Sequence, residues 1–242
     1  IMVDTDLNAI DTFTWKLVPI NDTTCKKDKE MEQFINQYRQ KTDEKYDRIV
    51  TRFAKCLTHP ARNQETELGN LIADILCDSL GIDLMLMGSG AIRNYELGPV
   101  VHYQDLVECI PYDEALYMLH VNGAQLTRMI RHILREEAFE GEHTEFYQFS
   151  HGMKIVWCRS RQRFETLTLD GKPLDENQLY KIALSKYHYM NTQSFLDISL
   201  EEAKENAHPR VLATSCRDII EEYMMVNPHL SREVEGRLIV KA

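Results

Sequence analysis

No stretch of this sequence stays apolar for the roughly 20 residues that span a bilayer, and the first residues lack a basic region followed by an apolar one. No transmembrane segment is expected, and the signal of a secreted parent would already have been removed. Paired cysteines are missing too. Cys25, Cys56, Cys77, Cys109, Cys158 and Cys216 stand singly with no CxxC among them, which points to core thiols rather than a zinc ribbon or a disulfide framework. Positive charge is in deficit: 28 Lys and Arg against 38 Asp and Glu give a net charge of -10. That disfavours nucleic acid as a partner, and any anion bound here needs a locally built cationic pocket. The 242 residues are 43% hydrophobic, enough for one large domain, or for one domain with an appendage.

Glycine and proline are absent between Lys29 and Leu57, where Met31, Phe34, Ile35, Tyr38, Ile49, Phe53 and Leu57 recur at helical spacing. The spacing predicts one amphipathic helix over 29–58, about 40 Å long at 1.5 Å per residue, suited to a solvated surface or to connecting domains. Before it, Phe13 to Ile20 alternates like a strand. After His59 helices and strands mix. Leu68, Leu71, Ile72, Ile75, Leu76 and Leu80 form a buried helix stripe, and Ile82 to Met87 reads as a central strand. A strand at Leu116 to Val121 turns at Asn122-Gly123 into a helix carrying Leu126, Met129 and Ile133. Further strands are predicted at Tyr147 to Trp157, Phe164 to Leu169, Tyr180 to Leu184 and Glu235 to Val240, with a helix at Cys216 to Met225. No period repeats. The pattern predicts an α+β fold, a large mixed β-sheet with packed helices behind a long N-terminal linker helix.

Two segments carry chemistry by residue type. Gly88-Ser89-Gly90-Ala91-Ile92-Arg93 follows a buried strand, where glycines let the backbone approach a ligand and an arginine supplies charge; a plain turn with a solvated arginine is the alternative. Polar residues from Arg62 to Asn70 crowd the start of an apolar helix, which simple N-capping also explains.

The ordered set of segments narrows this. Glu65-Thr66-Glu67-Leu68-Gly69-Asn70-Leu71-Ile72-Ala73-Asp74, the glycine-rich Gly88–Arg93 loop, Pro111-Tyr112-Asp113-Glu114, Val121-Asn122-Gly123-Ala124-Gln125-Leu126, Glu145-Phe146-Tyr147-Gln148-Phe149-Ser150 and Val234-Glu235-Gly236-Arg237-Leu238-Ile239 occur in the order and spacing of one family. From about Arg62 onward the chain resembles the C-terminal, substrate-binding domain of the 5'-nucleotidase and 2',3'-cyclic phosphodiesterase family.

The resemblance implies a domain that binds a nucleotide, or a related small phosphoester, and presents its phosphate to a separate two-metal catalytic domain. By position it implies substrate contacts at Arg62 and Arg93 for the anion, at Phe146 and Tyr187 as a ring sandwich for the base, at Gly88 and Gly90 through the loop backbone, with Gly88 standing where relatives often have an Asn or Ser, and at Gln193 for the ribose. The arginines are expected to converge on one concave face, and Phe146 and Tyr187 to face each other across a slot. Met190-Asn191-Thr192-Gln193-Ser194-Phe195 departs from the family's Asn-Gly-Gly-Asp-Gly-Phe, replacing a carboxylate by the amide of Gln193 and removing three glycines. The family's Asp-x-His, Asn-His-Asp/Glu and Gly-His-x-His metal motifs are not in this sequence, so no catalytic or metal residue is assigned, and two divalent ions are expected in a catalytic domain outside it. Gly141-Glu142-His143 is an isolated resemblance, read as a surface histidine. The expected organisation is 1–28 as the end of that catalytic domain, 29–58 as linker helix and 59–242 as the substrate domain. An extracellular, cell-wall or periplasmic location follows from the resemblance, with the cytoplasm open. A stand-alone ligand-binding module, or a site for a nucleotide sugar, dinucleotide or non-nucleoside phosphoester, are the alternatives.

Overall fold

The computed structural model describes residues 1–140 and 144–242; Gly141-Glu142-His143 lies outside the described residues. The chain divides into two compact units, Ile1–Lys45 and Tyr46–Ala242. In the first, β1 (Met2–Asp4) and β2 (Ala9–Thr12) form an antiparallel hairpin, and α1 (Lys29–Tyr46) follows. The Asp28 carboxylate caps α1 by accepting from the N–H groups of Glu30 and Met31 at 2.9 and 3.1 Å. Two expectations fail here. Residues 13–20 form no strand: their alternating apolar side chains, Trp15 and Leu17 among them, stay exposed, and alternation without a pairing edge does not make a strand. The helix predicted over 29–58 ends at Tyr46, because Ile49-Val50-Thr51 is a β-branched run whose crowding at χ1 favours a pleated surface over another helical turn.

The second unit runs, in chain order, β3 (Ile49–Arg52), β4 (Leu57–Thr58), α2 (Glu67–Leu80), β5 (Leu84–Gly88), β6 (Glu96–Leu97), β7 (Val100–His102), α3 (Tyr103–Cys109), β8 (Leu116–Asn122), α4 (Gly123–Ile133), β9 (Tyr147–Phe149), β10 (Met153–Cys158), β11 (Arg163–Leu169), β12 (Lys172–Pro173), β13 (Leu179–Ser185), α5 (Lys186–Met190), α6 (Thr192–Leu196), α7 (Glu202–Glu205), β14 (Arg210–Ala213), α8 (Cys216–Val226) and β15 (Leu238–Lys241). A five-stranded mixed sheet has the order β14-β8-β13-β5-β9, with β13 and β5 parallel and the other pairs antiparallel. A four-stranded sheet, β12-β11-β10-β15, pairs β10 with β15 in parallel. The fold class is as expected. The predicted single strand from Tyr147 to Trp157 is broken into β9 and β10, and they join different sheets; the break carries Gly152 at φ 84°. Asp170-Gly171, with φ of 51° and 74°, closes a two-residue hairpin from β11 to β12.

β5 shows why the central run is apolar at every position. Leu84 and Leu86 pack into one core with Leu126, Met129 and Ile130 of α4, while Met85 and Met87 pack into another with Leu71, Ile72 and Ile75 of α2. A strand covered on both faces has no polar side. Helix α2 is pinned at both ends. The Thr66 hydroxyl accepts from the N–H of Gly69 at 3.0 Å, and Gly81 takes the left-handed conformation that ends the helix, φ 61°. Its buried Asp74 accepts from Arg237 at 2.6 and 2.9 Å, from Arg232 at 2.7 Å and from the His151 N–H at 2.7 Å. Burial alone would raise the Asp74 pKa; the hydrogen bonds from Arg237 and Arg232 outweigh it and hold the carboxyl below its ordinary range.

Candidate ligand-binding cleft

The strand ends of the five-stranded sheet build an open cleft of about 340 Å³. β5 ends at Gly88, and the next turn delivers Gly90, Ala91 and Arg93 to one wall; Arg62, from the loop before α2, reaches the same wall. β13 ends at Ser185 and turns into α5, which brings Tyr187 and His188 to the cleft. Tyr112 and Glu114 come from the segment between α3 and β8, and Glu145 from the approach to β9.

The loop after β5 is fixed from beneath. The Ser89 N–H donates to the Phe146 carbonyl at 2.7 Å, its hydroxyl accepts from Gln148 at 3.0 Å, and its carbonyl lies 3.1 Å from His59 Nε2. His59 Nδ1 sits 2.8 Å from the Thr66 hydroxyl, which joins the loop to the cap of α2. Burial lowers the His59 pKa, and the Arg62 charge adds to the effect, against the pull of the Ser89 carbonyl. The neutral ring therefore donates from Nε2 to that carbonyl and accepts at Nδ1 from Thr66.

His188 forms the floor. Its Nδ1 lies 2.9 Å from Ser185 Oγ and its Nε2 3.3 Å from Glu145 Oε2, so a single tautomer, Nε2–H donating to the carboxylate and Ser185 donating to Nδ1, satisfies every group. Gly88 makes room for this ring, since a Cβ there would fall 2.0 Å from His188 Cε1. Tyr147 packs edge-on against His188 with centroids 5.0 Å apart, and burial, with the Glu145 charge, pushes its phenol well above the ordinary value.

Of the residues expected at the site, Arg62, Arg93, Gly90 and Tyr187 meet in the cleft, although Arg62 and Arg93 come from different elements. Three do not. Phe146 is 3% exposed and packs edge-on against Phe139 at 6.4 Å, so it does not face Tyr187. Side chains alternate as the chain enters β9, and Glu145, not Phe146, points to the cleft. Gly88 lies beneath His188 rather than on the lining. Gln193 is exposed on α6 and is not among the lining residues: the segment, which has no glycine, forms a short helix that ends at Asp197 in the left-handed conformation, φ 52°.

Tyr112 is the other tyrosine on the lining. Tyr112 is 56% exposed and Tyr187 49%. Its segment was already marked by Pro111-Tyr112-Asp113-Glu114, a signal that could have found both Tyr112 and Glu114; nothing in the sequence marked Ser185 or His188.

Residues 20–197 match the family of 5'-nucleotidase, C-terminal domains. The chain belongs to that family. The closing Val234–Ile239 segment lies beyond the matched residues, yet its Arg237 is the partner of Asp74 within the match. Protein UshA of Yersinia enterocolitica is 19% identical over 134 residues, which cover 55% of this chain and 23% of that protein. Among solved structures, the 5'-nucleotidase precursor of Thermus thermophilus superposes with a TM-score of 0.71 at 18% identity, over 87% of this chain and 43% of that one. The NAD nucleotidase of Haemophilus influenzae gives 0.66 at 13% identity, over 88% and 41%. This 5'-nucleotidase C-terminal domain chain therefore spans less than half of each relative, and the structural likeness speaks for the fold. No helix among the described residues is long and apolar enough to cross a membrane.

Proposed function

We propose that this chain is the substrate-recognition part of a metal-dependent nucleotide phosphohydrolase, and that its cleft takes a nucleoside monophosphate. The observation that carries the reading is the meeting of Arg62 and Arg93 with two half-exposed tyrosines, Tyr112 and Tyr187, in one cleft of a chain with ten more acidic than basic residues. Guanidinium groups give an anion charge-assisted, planar hydrogen bonds, and tyrosine rings give a base two stacking faces. At about 340 Å³ the cleft lies at the small end of ligand sites, which run from about 300 to 1,000 Å³, and this favours a mononucleotide over a dinucleotide.

Hydrolysis of the phosphoester is assigned to a catalytic domain outside this sequence, where two divalent ions would activate water and stabilise charge. The residues here bind and orient. Arg62 and Arg93 hold the phosphate at the open side, the tyrosines hold the base, and His188, locked between Ser185 and Glu145, keeps the floor rigid. Calorimetric titration of the 242-residue chain with nucleoside monophosphates and the matching nucleosides tests this. Saturable binding of the monophosphates, weaker for the nucleosides, is expected; equal affinity for both would remove the arginines from the reading.

A further inference from the structure

The segment that carries Tyr112 is held from both sides. The Glu114 carbonyl accepts from the Cys216 N–H at 3.1 Å, and the Ala115 carbonyl from the Lys186 N–H at 2.8 Å. Asp113 is turned away from the cleft: it accepts from the Ser215 hydroxyl at 2.7 Å, from the Arg217 N–H at 3.2 Å and from the Arg217 guanidinium at 3.3 Å, at the start of α8. Tyr112 and Glu114, on either side of it, both line the cleft. Glu114 Oε2 also accepts the backbone N–H of Tyr187 at 3.0 Å. A carboxylate thus stands where the two tyrosine-bearing segments meet, held in place before any ligand arrives.

A carboxylate offers acceptors only, with about four lone-pair directions, so one backbone N–H leaves it able to take two more donors. A base seated against Tyr112 and Tyr187 would be read by this carboxylate through the donors on the edge it turns toward Glu114. Guanine is the common base with two adjacent donors on one edge, the ring N1–H and the exocyclic 2-amino group; adenine and cytosine place an acceptor beside a donor, and uracil flanks its one N–H with carbonyls. An acceptor pair opposite a ring acceptor leaves both unpaired, and sites built on such complementarity discriminate strongly.

We propose that Glu114 makes this cleft selective for guanine nucleotides over adenine nucleotides. The proposal rests on the nucleotide reading above and adds the identity of the base. With two donors on the edge it offers, GMP should bind roughly tenfold or more tightly than AMP, with IMP, which keeps N1–H and lacks the amino group, between them.

The test is titration of the intact chain and two variants with GMP, IMP and AMP. Glu114→Gln keeps the acceptor for the Tyr187 N–H and replaces the other oxygen by a donor, matching adenine; it should lower GMP affinity about tenfold and raise that of AMP. Glu114→Ala should bind the two alike, and unchanged melting temperatures would show that the fold is kept. If wild type binds GMP and AMP equally, or if Glu114→Gln leaves a GMP preference untouched, the role of Glu114 is overturned while nucleotide binding stands. If no nucleotide binds, both readings fall together.

Discussion

Tyr112 and Phe146 are both aromatic and both lie in segments that mark the family, but their surroundings give them opposite work. The Tyr112 ring projects into solvent at the cleft, so Tyr112→Ala should weaken nucleotide binding by about 1–3 kcal/mol and leave the melting temperature nearly unchanged. Phe146 sits in the core beside Phe139, and Phe146→Ala should cost about 3–5 kcal/mol of stability. Calorimetry beside thermal melts separates the two. Arg62→Ala should remove a charge-assisted contact worth about 1.5–3 kcal/mol to a monophosphate while leaving nucleoside affinity unchanged, a difference that should narrow as salt is raised. Residue type and motif position led to Arg62, Arg93 and Tyr187. They misassigned Phe146 because a one-residue offset on an extended chain exchanges the cleft face for the core face, and motif position does not show which face is which.

At the scale of elements, Asp74 ties α2 to the chain terminus through Arg237 and Arg232. Asp74→Asn leaves the buried Arg237 with only the half-exposed Glu235 carboxylate as charge partner and should destabilise the protein by about 3 kcal/mol in urea unfolding. Because the Asp74 pKa is depressed in the folded state, its stabilisation is fully present above the unfolded carboxylate value of about 3.9 and is lost as pH falls toward the depressed folded value. The stabilities of wild type and Asp74→Asn should therefore converge on acidification below that point, and a constant gap down to strong acid would contradict the assignment. Elements with a strong period were legible in the sequence: the α2 stripe, the continuous run of β5, and the strand that turns at Asn122-Gly123 into α4, where the structure adds a capping box in which the Asn122 side chain accepts from the Gln125 N–H at 2.8 Å and the Gln125 side chain from the Asn122 N–H at 2.9 Å. The end of α1 was not, since no glycine or proline marks it. The change from helix to strand rests on three β-branched residues whose partner strand, β7, lies some fifty positions away, and a local pattern does not contain that partner.

For the whole molecule, the division is between the part that would recognise a substrate and the part that would do the chemistry. The chain covers 43% of the Thermus thermophilus nucleotidase it resembles and 23% of UshA, and the metal motifs of the family's catalytic half are not in its sequence. The purified chain should therefore release no phosphate from nucleotides with manganese, cobalt or zinc added, measured by a colorimetric phosphate assay; metal-dependent release that disappears on substituting one of its own residues would contradict this. The central claim is that the cleft between Arg62, Arg93, Tyr112 and Tyr187 binds a nucleoside monophosphate. Its most direct test is calorimetric titration of the intact chain with GMP and AMP beside the double variant Arg62→Ala/Tyr112→Ala. One saturable site is expected in the wild type, lost in a double variant that melts at the wild-type temperature; nucleotide binding that survives the double substitution unchanged would place the site elsewhere.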